Sequence, residues 1–232
     1  MAQAADTGGG GFPFAKLIDL GDTLVGAFGS SPRECKRQAR NFDNGNPMTK
    51  DDGRPFLEEV LYLVALPETT AKKGNADSGY EPIDPLEVVC FTVQGYKWGQ
   101  VIDARKALPA NAGFKAGQPC SGDIYTIRLV GWSAETKTPA AAERAGFTVT
   151  DGRIILRTQE DKDRFVLHQS RNGGNTNPAK DLEVSIRRPT AADKAYEQAA
   201  DELFLEKPWQ RATTPALVGA GAPVAEEVDD AF

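Results

Sequence analysis

The sequence predicts a mainly β protein: a barrel of five strands elaborated by inserted loops, with a short helix between the third and fourth strands and another helix near the C-terminus. Three observations predict it. Short runs rich in β-branched and aromatic residues recur between clusters of Gly, Pro, Asn and Asp. A helical period interrupts this series clearly at 100–108 and again at 190–207. Hydrophobic residues make up 40% of 232 and charged residues 26%, which suits one domain with a substantial core.

Residues 1–11 are Gly-rich and polar and are expected to be disordered, with the folded domain spanning 12–209. The first strand is read at Leu24–Val25–Gly26–Ala27–Phe28. A polar excursion follows, holding RECKRQAR (33–40) and FDNGNPMTKDDGRP (42–55), where Asn-Gly, Asn-Pro and Asp-Gly steps set turns. FLEEVLYLVALPE is read as a strand stopped by Pro67, although Glu58–Glu59 break its alternation. TTAKKGNADSGYEPIDP is read as a loop. The segment 86–98, LEVVCFTVQGYKW, has high β propensity on both faces and is read as the third strand.

QVIDARKAL at 100–108 then places Val101, Ala104, Arg105 and Leu108 at helical spacing, closed by Pro109. GDIYTIRLVGW at 122–132 alternates, with Tyr125, Ile127 and Leu129 on one face and Ile124, Thr126, Arg128 and Val130 on the other. GFTVTDGRIILRT predicts a hairpin around Asp151–Gly152, and DKDRFVLHQSRNGGNTNP a short strand or helix turn entering a mobile loop. LEVSIRR at 182–188 alternates again. Thr190 is an N-cap for a final helix with Tyr196, Ala199, Ala200 and Leu203 on one face, stopped before Pro208. Residues 210–232 read as a flexible linker and acidic tip. A five-stranded OB-type barrel carries its helix between strands three and four, the place QVIDARKAL occupies.

The net charge of −6 argues against a uniformly basic nucleic-acid binder, yet the charge is unevenly distributed: Glu226, Glu227, Asp229 and Asp230 face a single Arg211 in the tail. Cys35, Cys90 and Cys120 are far apart, with no CxxC pair, and fit free thiols in a reducing cytoplasm. The N-terminus has no signal-peptide pattern and no segment reaches the roughly 18 apolar residues of a membrane span, so a soluble protein without membrane contact is expected. P-loop, dinucleotide-binding, nucleophile-elbow and HExxH patterns are absent, and His168 is the one histidine. The acidic pairs at 51–52, 58–59 and 160–163 lack EF-hand spacing and are explained by turn formation and solvation. The expectation is therefore a non-enzymatic protein with no cofactor and no metal.

The positive charges and aromatics point elsewhere. A sequence-tolerant single-strand binder needs a cationic track for phosphates and aromatic faces for bases. Arg33, Lys36, Arg37 and Arg40 oppose only Glu34 in RECKRQAR, and Phe42 follows. Tyr96, Lys97 and Trp98 stand together in QGYKW, near Arg105 and Lys106; Arg128 and Trp132 lie on the fourth strand, and Arg153, Arg157, Arg187 and Arg188 on later ones. The competing reading makes each aromatic a core residue and each cation part of a solvated face.

The succession VGAF, a polar excursion with DDGRP, an apolar strand, LEVVCFTVQG, a helix and GDIYTIRLVGW resembles the OB-fold single-stranded DNA-binding proteins of tailed bacteriophages over about residues 20–132. The ending EEVDDAF is similar to the acidic tips with a terminal Phe by which bacterial single-stranded DNA-binding proteins and phage analogues recruit partners. The resemblance implies coating of exposed single-stranded DNA during phage replication or recombination, in the cytoplasm of an infected bacterium. It also implies recruitment of replication or recombination proteins by Glu226, Glu227, Asp229, Asp230 and Phe232; Ala231 stands where the bacterial tip has Pro. Two other readings compete: a β-rich virion or assembly protein docked through its tail, and a metal nuclease using Asp51 or Asp52. Oligomeric state is left open.

Overall fold

The computed structural model describes residues 12–30, 36–39, 46–75, 77, 79–93, 96–111 and 113–207. The expectations for residues 1–11 and for the tail at 210–232 lie outside these. In chain order the elements are β1 (Thr23–Phe28), β2 (Lys36–Gln38), β3 (Leu57–Ala65), β4 (Lys72–Asn75), β5 (Gly79–Pro82), β6 (Val88–Val93), α1 (Tyr96–Lys106) and β7 (Ile124–Glu135). There follow α2 (Pro139–Arg144), β8 (Thr148–Thr150), β9 (Arg153–Leu156), α3 (Gln159–Arg171), β10 (Ala179–Arg187) and α4 (Lys194–Glu206).

The protein is mainly β, built on an eight-stranded antiparallel sheet that is not closed among the described residues. Its central path runs β6–β3–β1–β7–β10. β2 lengthens the sheet beside β3, pairing Lys36 with Glu59 and Gln38 with Leu57. The β8–β9 hairpin lengthens it beside the far end of β7, pairing Trp132 with Leu156. β6 and β10 form the two edges of the path, and α1 packs against both, chiefly β10.

β1 is buried along nearly its whole length because it is flanked on both edges and covered on both faces, which explains its unbroken apolar run. Leu24 and Phe28 join Leu61, Leu63, Phe91, Tyr125, Ile127 and Trp132 in the inner core. Val25 and Ala27 point the other way, into a second cluster with Val60, Tyr62, Val64, Ala200 and Leu203, where α4 covers the sheet. Period-two alternation therefore feeds two cores from one strand. Between Leu24 and Phe28, on the inner side, stands Gly26, where a Cβ would come within 2.8 Å of Leu63 Cβ. Gly26→Ala is expected to destabilise the fold by about 1–3 kcal/mol through overpacking, read as a lower urea midpoint with unchanged slope.

Several elements differ from the sequence expectations. The third strand stops at Val93, the last residue paired to β3, and Tyr96–Lys97–Trp98 form the first turn of α1 instead of a strand end. Part of the expected loop before β6 is the β4–β5 hairpin, pairing Lys72–Asn75 with Gly79–Pro82. The segment expected as a short strand or helix turn is α3, a 13-residue helix whose N-cap Thr158 accepts from the Asp161 amide and whose buried residue is Phe165. The Asp151–Gly152 hairpin, the strand at 182–188 and the final helix lie where the sequence placed them. None of the described helices is long and apolar enough to cross a membrane.

Candidate nucleic-acid interface

DDGRP forms the tip of a tight hairpin. The Lys50 amide donates to Arg54 O at 2.8 Å, the Gly53 amide returns to Lys50 O at 2.9 Å, and the Phe56 amide donates to Met48 O at 3.0 Å. Gly53 takes φ 79°, a conformation that suits a residue without Cβ. The Asp52 carboxylate accepts from the Arg54 amide and guanidinium, which pulls its pKa below the usual carboxylate value. This hairpin places Lys50, Pro55 and Phe56 beside Leu57 at the start of β3.

Trp98, in the first turn of α1, completes a cavity of about 330 Å³ with Lys50, Pro55, Phe56 and Leu57. Its indole is half-buried against the inner core, and the Lys36 ammonium lies 5.3 Å from the ring centroid. Leu57 is 47% exposed, a large apolar side chain open to solvent at the mouth. The chemistry is an aromatic and aliphatic pocket flanked by two lysine ammonium groups, suited to a flat apolar ring attached to an anion.

The structure separates the other predicted residues. Arg37 turns to the opposite side of β2 from Lys36 and donates to Glu58 at 2.6 Å, so its charge is already met. Lys97 lies over Phe91, 5.8 Å from its centroid, and burial, followed by the nearby Lys16, pushes its pKa down. Arg128 is exposed on the outer face of β7, in a groove with Leu20 and Gly21 distinct from the Trp98 cavity. Trp132 is 2% exposed in the inner core with Lys162 over its ring at 4.4 Å, so its ring packs the core and offers no free face to a base. Arg33, Arg40, Phe42 and the tip residues Glu226, Glu227, Asp229, Asp230 and Phe232 lie outside the described residues, as does the side chain of Tyr96.

The later arginines hold the fold together. Arg153 meets Glu135 and Ser133, and Arg157 meets Asp181 at 2.5 Å. Arg187 forms a two-armed pair with Asp193, which also accepts from the Thr190 amide and hydroxyl to cap the turn into α4. Arg188 reaches the fully buried Asp123 and the carbonyls of Pro109 and Gln118, tying β10 to the loop before β7. Arg105 is buried: it donates to Glu59 Oε2 at 3.0 Å, pairs its other arm with Glu59 Oε1, and donates to the Tyr125 hydroxyl at 3.1 Å. Glu58 and Glu59, which interrupted the apolar pattern of β3, are thus both engaged by arginines. No family model, curated protein or solved structure matches the chain.

Proposed function

We propose that this protein binds single-stranded DNA without sequence preference and uses its acidic C-terminal tip to recruit replication or recombination partners, as a phage protein in its host's cytoplasm would. The Trp98 cavity carries the reading: an aromatic wall and apolar rim sized for a nucleobase, with Lys36 and Lys50 at its sides for the flanking phosphates. The strand path supports it. Order β6–β3–β1–β7–β10, with α1 between the third and fourth of these strands along the chain, matches the order expected of an OB barrel, with no ladder between β6 and β10 among the described residues. The cavity sits at the β2 end of β3, beside the excursion that follows β1, where OB folds bind oligonucleotides.

An electrophoretic titration with oligo-dT and with duplex of equal length tests the reading. Preference for the single strand is expected, and equal affinity overturns it. The tail adds a second expectation. Its four carboxylates compete with DNA for cationic groups, so removal of residues 224–232 tightens oligo-dT binding at low salt and has a smaller effect at high salt. Unchanged low-salt affinity removes the internal competition and leaves partner recruitment by the tip to be judged separately.

A further inference from the structure

We propose that Lys16, Lys97, Lys162 and Lys180, gathered at the seam between β6 and β10, form a site for consecutive phosphate groups of a single-stranded nucleic acid. This deepens the DNA-binding reading and rests on it for the identity of the ligand, while the site itself is defined by phosphate chemistry.

The seam assembles these residues from four parts of the chain. The segment 13–16 runs along the free edge of β6: the Ala15 amide donates to Cys90 O and the Cys90 amide to Pro13 O, both at 2.8 Å. One residue on, Leu17 O accepts from Lys180 Nζ of β10 at 2.6 Å, so the segment is tied to both sheet edges. Lys180 pairs across the ladder with Trp132, whose ring lies under Lys162 of α3. Lys97, from the first turn of α1, lies over Phe91 of β6. Three of the four ammonium groups thus each lie over an aromatic ring of their own, Lys97 over Phe91, Lys162 over Trp132 and Lys16 5.5 Å from the Phe14 centroid.

Elsewhere on the surface, lysines meet carboxylates: Lys72 with Asp19, Lys73 with Glu87 and Lys106 with Asp103. Among the described residues no carboxylate ion-pairs with Lys97, Lys162 or Lys180. The four are close enough to repel. Burial and then Lys97, Lys16 and Lys162 push Lys180 down to about 8, against a weaker opposing pull from Asp22. Concentrating like charge in a partly desolvated seam costs stability unless an anion relieves it, and one phosphate would satisfy ammonium groups from several elements at once. Lys97 and Trp98 are consecutive on α1, so a strand whose base enters the Trp98 cavity would have its neighbouring phosphates beside this site.

Reductive methylation of the full-length protein, read lysine by lysine by mass spectrometry, tests the site with oligo-dT and with inorganic tripolyphosphate as separate probes. The companion measurement is the salt dependence of oligo-dT affinity for wild type and for K97Q/K180Q. Protection of Lys97, Lys162 and Lys180 by both probes is expected. The double variant should lose about tenfold in low-salt affinity, and its log–log salt slope should flatten by about 1.4, two phosphate contacts at roughly 0.7 each. If tripolyphosphate protects the cluster but oligo-dT does not bind, the phosphate site stands and the DNA reading falls. If oligo-dT binds while these lysines stay unprotected and the slope is unchanged, the site is overturned and the DNA reading stands. Failure of both probes overturns both.

Discussion

Arg105→Ala is expected to destabilise the protein by about 3–5 kcal/mol, because it leaves Glu59 as a buried carboxylate with its partner removed. Glu59 is 1% exposed, and Arg105 supplies both of its guanidinium contacts as well as the bond to the Tyr125 hydroxyl. Burial also pushes the Tyr125 phenol up, so the ring stays neutral and provides no compensating charge. For a chain of this length the loss corresponds to a fall of roughly 10 °C in melting temperature. The companion is Glu59→Met with Arg105→Met, which removes both charges while keeping apolar volume. It should recover most of the lost stability, since replacing a whole buried pair is often neutral where breaking it is not. Urea unfolding of the singles and the double completes the cycle. An Arg105→Ala loss below about 1 kcal/mol would mean that Glu59 finds water or a proton in the protein interior.

The second large effect concerns ligand binding. Trp98→Ala is expected to weaken oligo-dT affinity by about 5- to 150-fold, the range that loss of one base–aromatic stack of about 1–3 kcal/mol produces. Trp98→Phe keeps a smaller ring face and should retain most of the affinity. The indole is also half-buried against the inner core, so thermal melting of both variants separates lost stacking from lost packing. Full affinity in a folded Trp98→Ala protein would remove the cavity from the DNA path. Trp132 serves as the contrast: truncating this core ring should lower stability without a selective effect on binding by the folded fraction.

The order of strands and helices was largely legible because apolar runs and breakers are local signals. The alternating 122–132 segment became β7, and the helical spacing of Val101 and Arg105 became the buried face of α1, with Leu108 buried just past its end. What escaped was polar. β2 has no apolar pattern and exists because Lys36–Gln38 pairs with the start of β3. α3 buries only Phe165 deeply, yet Thr158 and Asp161 carried its N-terminal signal all along.

The site was legible only in part, because charge in a sequence does not say which charges are already paired. Arg37, Arg105, Arg153, Arg157, Arg187 and Arg188 all read as cations available to phosphate, and each meets a carboxylate, in most cases one distant in the chain. Lys16, Lys162 and Lys180 carried no local signal, since only the approach of the N-terminal segment, α3 and β10 brings them together. Trp98 and Trp132 looked equivalent as aromatics near basic residues. Their difference arises from position: Trp98 opens a helix at the end of the sheet, whereas Trp132 sits within β7, paired on both edges.

The most direct measurement is an equilibrium titration of the full-length protein, by intrinsic tryptophan fluorescence and oligonucleotide anisotropy, with oligo-dT and with duplex of equal length across a salt series. Single-strand binding is predicted to be tighter than duplex binding at every salt concentration, to fall linearly in log–log form with rising salt, and to quench an emission component that Trp98→Phe removes. Equal affinity for both forms, or no binding at low salt, would contradict the proposed function.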